Sequence, residues 1–110
     1  MGIHLDNNIM MVELPPKPKT EDELRGVIYQ LQEGLNFYVV IDCSSIENIS
    51  TNGMNLLRQI RKIVDENDQK LLLCSVSLAL GTSLAVAGEI DFFDFEESQS
   101  TAIALFQKTK

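Results

Sequence analysis

The chain has 110 residues, and its 16 Asp and Glu against 9 Lys and Arg give a formal charge of −7. That length suits one domain, expected to span residues 1–110, with a core that needs neither metal nor disulfide. The acidic balance repels nucleic-acid phosphates, and no apolar run approaches the about 20 residues of a membrane span; the chain reads as cytoplasmic, with no nucleic-acid partner and no membrane insertion expected.

Ile9 to Leu14 (IMMVEL) reads as a first strand, paired with the short Ile3 to Leu5 run through an Asp6-Asn7-Asn8 turn. All three prolines follow in Pro15-Pro16-Lys17-Pro18-Lys19. This segment cannot supply a regular set of ladder hydrogen bonds and reads as a loop, too short to favour a proline-rich ligand. Thr20 opens a helix, and Glu23 three residues later completes a Thr-x-x-Glu capping box. Leu24, Val27, Ile28 and Leu31 form its buried stripe, and Gly34 ends it.

Phe37 to Ile41 is rich in β-branched and aromatic residues, as a strand covered on both faces requires, and Asp42 ends the run. From Met54 to Val64, Leu56, Leu57, Ile60, Ile63 and Val64 repeat with helical spacing, and the helix closes near Asp65-Glu66-Asn67-Asp68. Lys70 to Val76 is a second apolar strand, parallel to the first because a helix intervenes. Ser77 begins a helix carrying Leu78, Leu80, Leu84, Ala85 and Val86, weakened by Gly81 and Gly88. Asp91 to Phe95 alternates like a short edge strand, and Glu96-Glu97-Ser98 leads into a last helix with Ala102, Ile103, Leu105 and Phe106. Alternating strands and helices predict an α/β fold: an open, mostly parallel sheet of four to five strands with about four helices.

Catalytic machinery is not evident. The one histidine, His4, stands far from any nucleophile pattern, and neither a GxxxxGK[ST] nor a GxGxxG loop occurs. Cys43 and Cys74 lack metal-ligand or CxxC spacing, which leaves them as buried free thiols. Glu21-Asp22-Glu23 and Asp65-Glu66 read as solvated charge. No catalytic residue, metal ligand or cofactor is assigned, and a non-enzymatic protein is expected.

The Ser50-Thr51-Asn52-Gly53 turn stands at a helix N-terminus, where free amides and the dipole favour negative charge. It reads either as a simple cap or as a place where an added phosphoryl group is tolerated. Thr51, Asn55, Arg58 and Lys62 fall three or four residues apart and should form a polar ridge. Arg58, Arg61 and Lys62 make the same helix a basic patch, which is either a solvated face or a surface that docks an acidic partner.

With VVIDCSSIENISTNGMNLL and the later LLLCSVSLALGTSLAVAGEIDFFDFEESQSTAIALF in view, the chain resembles a STAS domain of the bacterial anti-sigma factor antagonist kind. The pattern matched is an apolar strand, Asp, a loop with spaced aliphatics, then Asp-Ser-Ser/Thr-Gly opening an apolar helix. The resemblance implies binding to an anti-sigma factor with serine/threonine kinase activity, or a related signalling protein, in a partner switch that regulates transcription. It also implies release on phosphorylation of a hydroxyl at the helix N-terminus. Carried over by position, that hydroxyl is Thr51, with Ser50 as the alternative, and the glycine is Gly53; Asn52, Gly53, Asn55, Arg58 and Lys62 are the expected partner-binding residues. Ser50 stands where the family usually has Asp, Asn52 where it has Ser or Thr, and Leu14-Pro15-Pro16-Lys17-Pro18 replaces a Gly-Glu-Leu-Asp-like segment. Two other readings remain: a constitutive STAS subunit of a transporter or stress-signalling complex, and a nucleotide- or phosphate-binding module.

Overall fold

The computed structural model describes residues 2–6, 8–33 and 37–108. Strands β1 (Gly2–Asp6) and β2 (Ile9–Glu13) form an antiparallel hairpin. Then come α1 (Thr20–Gln32), β3 (Tyr38–Asp42), α2 (Thr51–Glu66), β4 (Leu71–Cys74) and α3 (Leu78–Val86). A 3-10 turn (Ile90–Phe92), β5 (Asp94–Glu96) and α4 (Gln99–Lys108) complete the chain's elements. The five strands lie in the order β1-β2-β3-β4-β5, parallel from β2 onward. The fold is thus the α/β fold expected from the alternation of strands and helices, with the hairpin pairing Ile3 against Val12 and Leu5 against Met10. Of the turn and stop signals read from the sequence, Asn7 and Gly34 lie outside the described residues.

Strand periodicity divides the core between two faces. Val39 and Ile41 of β3 and Leu71 and Leu73 of β4 point toward α1, α2 and α3, where they meet Leu24, Val27, Leu57, Ile60, Leu80 and Leu84. Val40, Leu72 and Cys74 point the other way, onto Ala102 and Phe106 of α4. The Phe106 ring lies flat on Tyr38, centroids 4.6 Å apart. In α2 the stripe actually buried is Met54, Leu57, Ile60 and Val64, with Leu56 and Ile63 on its flanks.

Two local expectations are corrected. Thr20 is the first helical residue rather than the cap: its hydroxyl donates 2.7 Å back to the Pro15 carbonyl, and Lys19 at the cap makes no side-chain hydrogen bond, so the Thr20/Glu23 capping box does not form. The proline loop, which has few donors of its own, takes that hydroxyl instead. A reciprocal box does form at α4, where the Ser98 hydroxyl accepts from the Thr101 N–H and the Thr101 hydroxyl from the Ser98 N–H. Asp91 to Phe95 does not form one strand: the Phe92 N–H turns back to the Glu89 carbonyl, Phe93 enters the core, and only Asp94 onward joins β4.

Because α4 is the one helix packed on its face among the described residues, Phe106→Ala should cost about 3 kcal/mol or more, read as a lowered urea midpoint with an unchanged denaturant slope.

Candidate functional site

The site grows out of the link between β3 and α2. Asp42 closes β3, and its carboxylate accepts the Ser44 N–H at 2.8 Å, turning the chain away from the sheet. The Cys43 N–H reaches the Cys74 carbonyl and Ile46 enters the core, so the loop is pinned at both places. Ile49 then lies across Gly53. A Cβ at Gly53 would sit 2.7 Å from Ile49 Cγ1 and 3.3 Å from the Ser50 hydroxyl, which is why glycine occupies this helical position.

Ser50 is the cap of α2. Its hydroxyl accepts from the Gly53 N–H at 2.9 Å and donates to Glu21 Oε2 at 3.0 Å, while its carbonyl takes the Met54 N–H. Glu21, read from the sequence as solvated charge, therefore ties the start of α1 to the start of α2; its other oxygen faces Arg25 at 3.4 Å. With both hydrogen-bonding roles used, the Ser50 hydroxyl is committed to structure. Thr51 is the first helical residue and is exposed.

Of the residues singled out from the sequence, Thr51, Asn55 and Arg58 come together around a depression of about 250 Å³, walled opposite by Ser83, Ala87 and Glu89. Asn52 is exposed but outside it, and Gly53 is buried, so Gly53 shapes the turn without offering a contact. Lys62 stands about 16 Å along the helix axis from Thr51, exposed beside Gln32 and Glu66. The basic patch is largely neutralised internally. Arg58 makes an ion pair with buried Glu89 from the α3 connection. Arg61 pairs with Asp65 at 2.9 Å, donates to the Phe92 carbonyl and lies over the Phe92 ring. Among the described residues Lys62 alone of the three has no carboxylate partner.

Glu21 and Glu89 were not identified from the sequence, and neither was a third polar tie. Glu13, Asp42, Cys74 and Glu96 stand in register across four strands, and the Gln99 side-chain amide bridges Glu13 and Asp42 from the start of α4. Burial pushes the Asp42 carboxyl up, but hydrogen bonds from Gln99 and Ser44 outweigh it and hold the group below its ordinary value. Burial also pushes the Cys43 thiol up to about 12 and the Cys74 thiol to about 11, which keeps both protonated and unreactive at neutral pH. Among the described residues no group of three His, Cys, Asp or Glu is placed to hold a metal, and no helix is long and apolar enough to cross a membrane.

A STAS domain family model matches residues 18–102. In fold the chain is similar to an anti-sigma factor antagonist (STAS) domain protein from Planctomyces limnophilus, with 17% identity over 94% of each chain and a TM-score of 0.79. It is also similar to a variant of RsbS from Moorella thermoacetica, with 12% identity over 99% of this chain and 98% of that one and a TM-score of 0.79. The anti-sigma factor antagonist SpoIIAA in its unphosphorylated form aligns over 96% of each chain at 9% identity, TM-score 0.73. No curated protein matches in sequence.

The two hydroxyls should separate on substitution. Ser50→Ala removes a cap and the tie to Glu21 Oε2, costing about 1–2 kcal/mol, whereas exposed Thr51→Ala should stay within about 0.5 kcal/mol of wild type by thermal denaturation. The lowered Asp42 pKa means that its contribution to stability is complete above the unfolded value of 3.8 and is lost as pH falls below it. Asp42→Asn should therefore be clearly less stable than wild type at neutral pH, with the gap narrowing as urea midpoints are taken to lower pH.

Proposed function

We propose that this chain, which belongs to the STAS family, is an anti-sigma factor antagonist-like binding protein that works without catalysis. In this reading it engages an anti-sigma factor with serine/threonine kinase activity, or a related signalling protein, through the first turns of α2, and phosphorylation of Thr51 releases it. The observation that carries the reading is the division of labour at the α2 N-terminus. Ser50 is locked between Gly53 and Glu21, while its neighbour Thr51 presents a free face beside Asn55 and the depression.

Physical chemistry supports a switch at that point. A phosphoryl group brings about −1.5 to −2 charges, and the helix dipole favours them at this end, so the domain keeps its fold. Arg58, the nearest cation in the depression, is held by Glu89. The added charge is then not neutralised inside the site, and a partner packed there must desolvate a dianion that it was not built to receive. Gly53 and Ile49 keep the turn rigid, so the change is one of surface charge rather than shape.

The test recovers partners from native cells with tagged wild type, Thr51→Ala and Thr51→Glu, alongside thermal denaturation to establish that each variant is folded. Thr51→Ala should retain the partner. Thr51→Glu should weaken it about tenfold or more, about 1.4 kcal/mol, and intact mass should find phosphate on the free form only. A partner held equally by all three proteins would instead make the chain a constitutive subunit, with Thr51 an ordinary first-turn residue.

A further inference from the structure

The stretch 71–107 contains no Lys, Arg or His but five carboxylates: Glu89, Asp91, Asp94, Glu96 and Glu97. Glu89 is spent on Arg58; among the described residues the other four make no ion pair. Within this acidic stretch lies α3 (LALGTSLAV), apolar on nearly every side, which buries only Leu80 and Leu84. Leu78 is left 89% exposed and Val86 85% exposed. Between the start of α3 and the edge strand β5 runs an open groove of about 810 Å³, more than three times the depression of about 250 Å³ beside Thr51. Val76, Leu78, Ile90 and Phe95 supply its apolar lining, and exposed Glu97 borders it where β5 ends; Glu96, in register with Cys74, is turned to the α4 face.

We infer that this groove is a docking site for a basic amphipathic helix of a partner protein. An apolar trough bordered by Glu97, within a stretch that carries carboxylates and no cation, matches a helix that carries aliphatic residues at i, i+3, i+4 and i+7 and Lys or Arg on its flanks. The same acidic stretch argues against other occupants. It repels anionic lipid headgroups and nucleic acid, and in a two-fold dimer of this chain it would set carboxylates against carboxylates. The site is separate from the Thr51 depression. Ser83 and Ala87 on one flank of α3 serve the depression, and Leu78, Thr82 and Ala85 on the other serve the groove, so the two surfaces stand or fall independently.

The probe is a synthetic Leu/Lys amphipathic peptide of about 18 residues, with a Leu/Glu counterpart, titrated into isotope-labelled protein and followed by amide chemical shifts. The Leu/Lys peptide should shift residues 76–82 and 90–97 and bind more weakly as salt rises. Its affinity should fall about tenfold in Leu78→Asp, whose exposed position leaves the remaining spectrum intact. Glu97→Lys should weaken binding of the Leu/Lys peptide and improve binding of the Leu/Glu peptide. Shifts spread over the whole acidic surface, equal affinity in Leu78→Asp, or no binding would overturn the inference. So would shifts of the same residues produced by raised protein concentration alone, which would mark self-association, or by phosphatidylglycerol vesicles, which would mark a membrane surface.

Discussion

The constraint on which the molecule depends is the burial of β3 and β4 on both faces. Val39, Val40, Ile41, Leu71, Leu72 and Leu73 are all in the core, so each face of the sheet has to be covered by something apolar. Three successive crossover helices, α1 to α3, cover one face, and α4 must come round to close the other, where Phe106 rests on Tyr38. The parallel order of β2 to β5 puts their C-terminal ends at one edge of the sheet, the edge from which the loops leading to α2 and α3 depart. The groove and the depression both flank α3, the helix that follows β4 from that edge.

Polar ties then fix what apolar packing leaves loose. Burial is non-directional and cannot by itself set the rotation of a helix end; hydrogen bonds and ion pairs can. Ser50 joins the start of α2 to the start of α1 through Glu21, Arg58 joins the middle of α2 to the far end of α3 through Glu89, and Gln99 joins α4 to β2 and β3. Glu89 is 5% exposed, so its value lies less in net stability than in the penalty for separating it from Arg58. The α2 surface around Thr51 is thus held from both sides and presents one shape.

What was legible in the sequence follows from the range of the interactions. β3, β4 and α2 were readable because their signal is local: continuous apolar runs for strands with two covered faces, and a 3.6-residue period for the helix. The Ser50-Thr51-Asn52-Gly53 turn was readable as a helix start for the same reason. Which hydroxyl serves as the cap was not, because it is settled by Glu21, 29 residues away. The apparent basic patch was misleading for a related reason: Glu89 lies 31 residues beyond Arg58, and charge read along one helix misses a partner brought in by another element. At Thr20 a correct local motif lost to a tertiary demand, since the Pro15 carbonyl needed a donor that the proline loop lacks.

α3 unites these themes. Its start was legible at Ser77, which caps it, but its apolar residues fall on nearly every side, and this leaves Leu78 and Val86 in solvent after Leu80 and Leu84 have met the core's needs. A helix that served only to cover the sheet would place polar residues at those exposed positions. Its apolar outer side is therefore not explained by folding, and scattered exposed apolar residues are ordinary only where nothing concave or charged accompanies them. Here a groove and the uncompensated carboxylate of Glu97 accompany Leu78. The helix separates the exposed Thr51 hydroxyl and its depression on one flank from the groove bordered by Glu97 on the other.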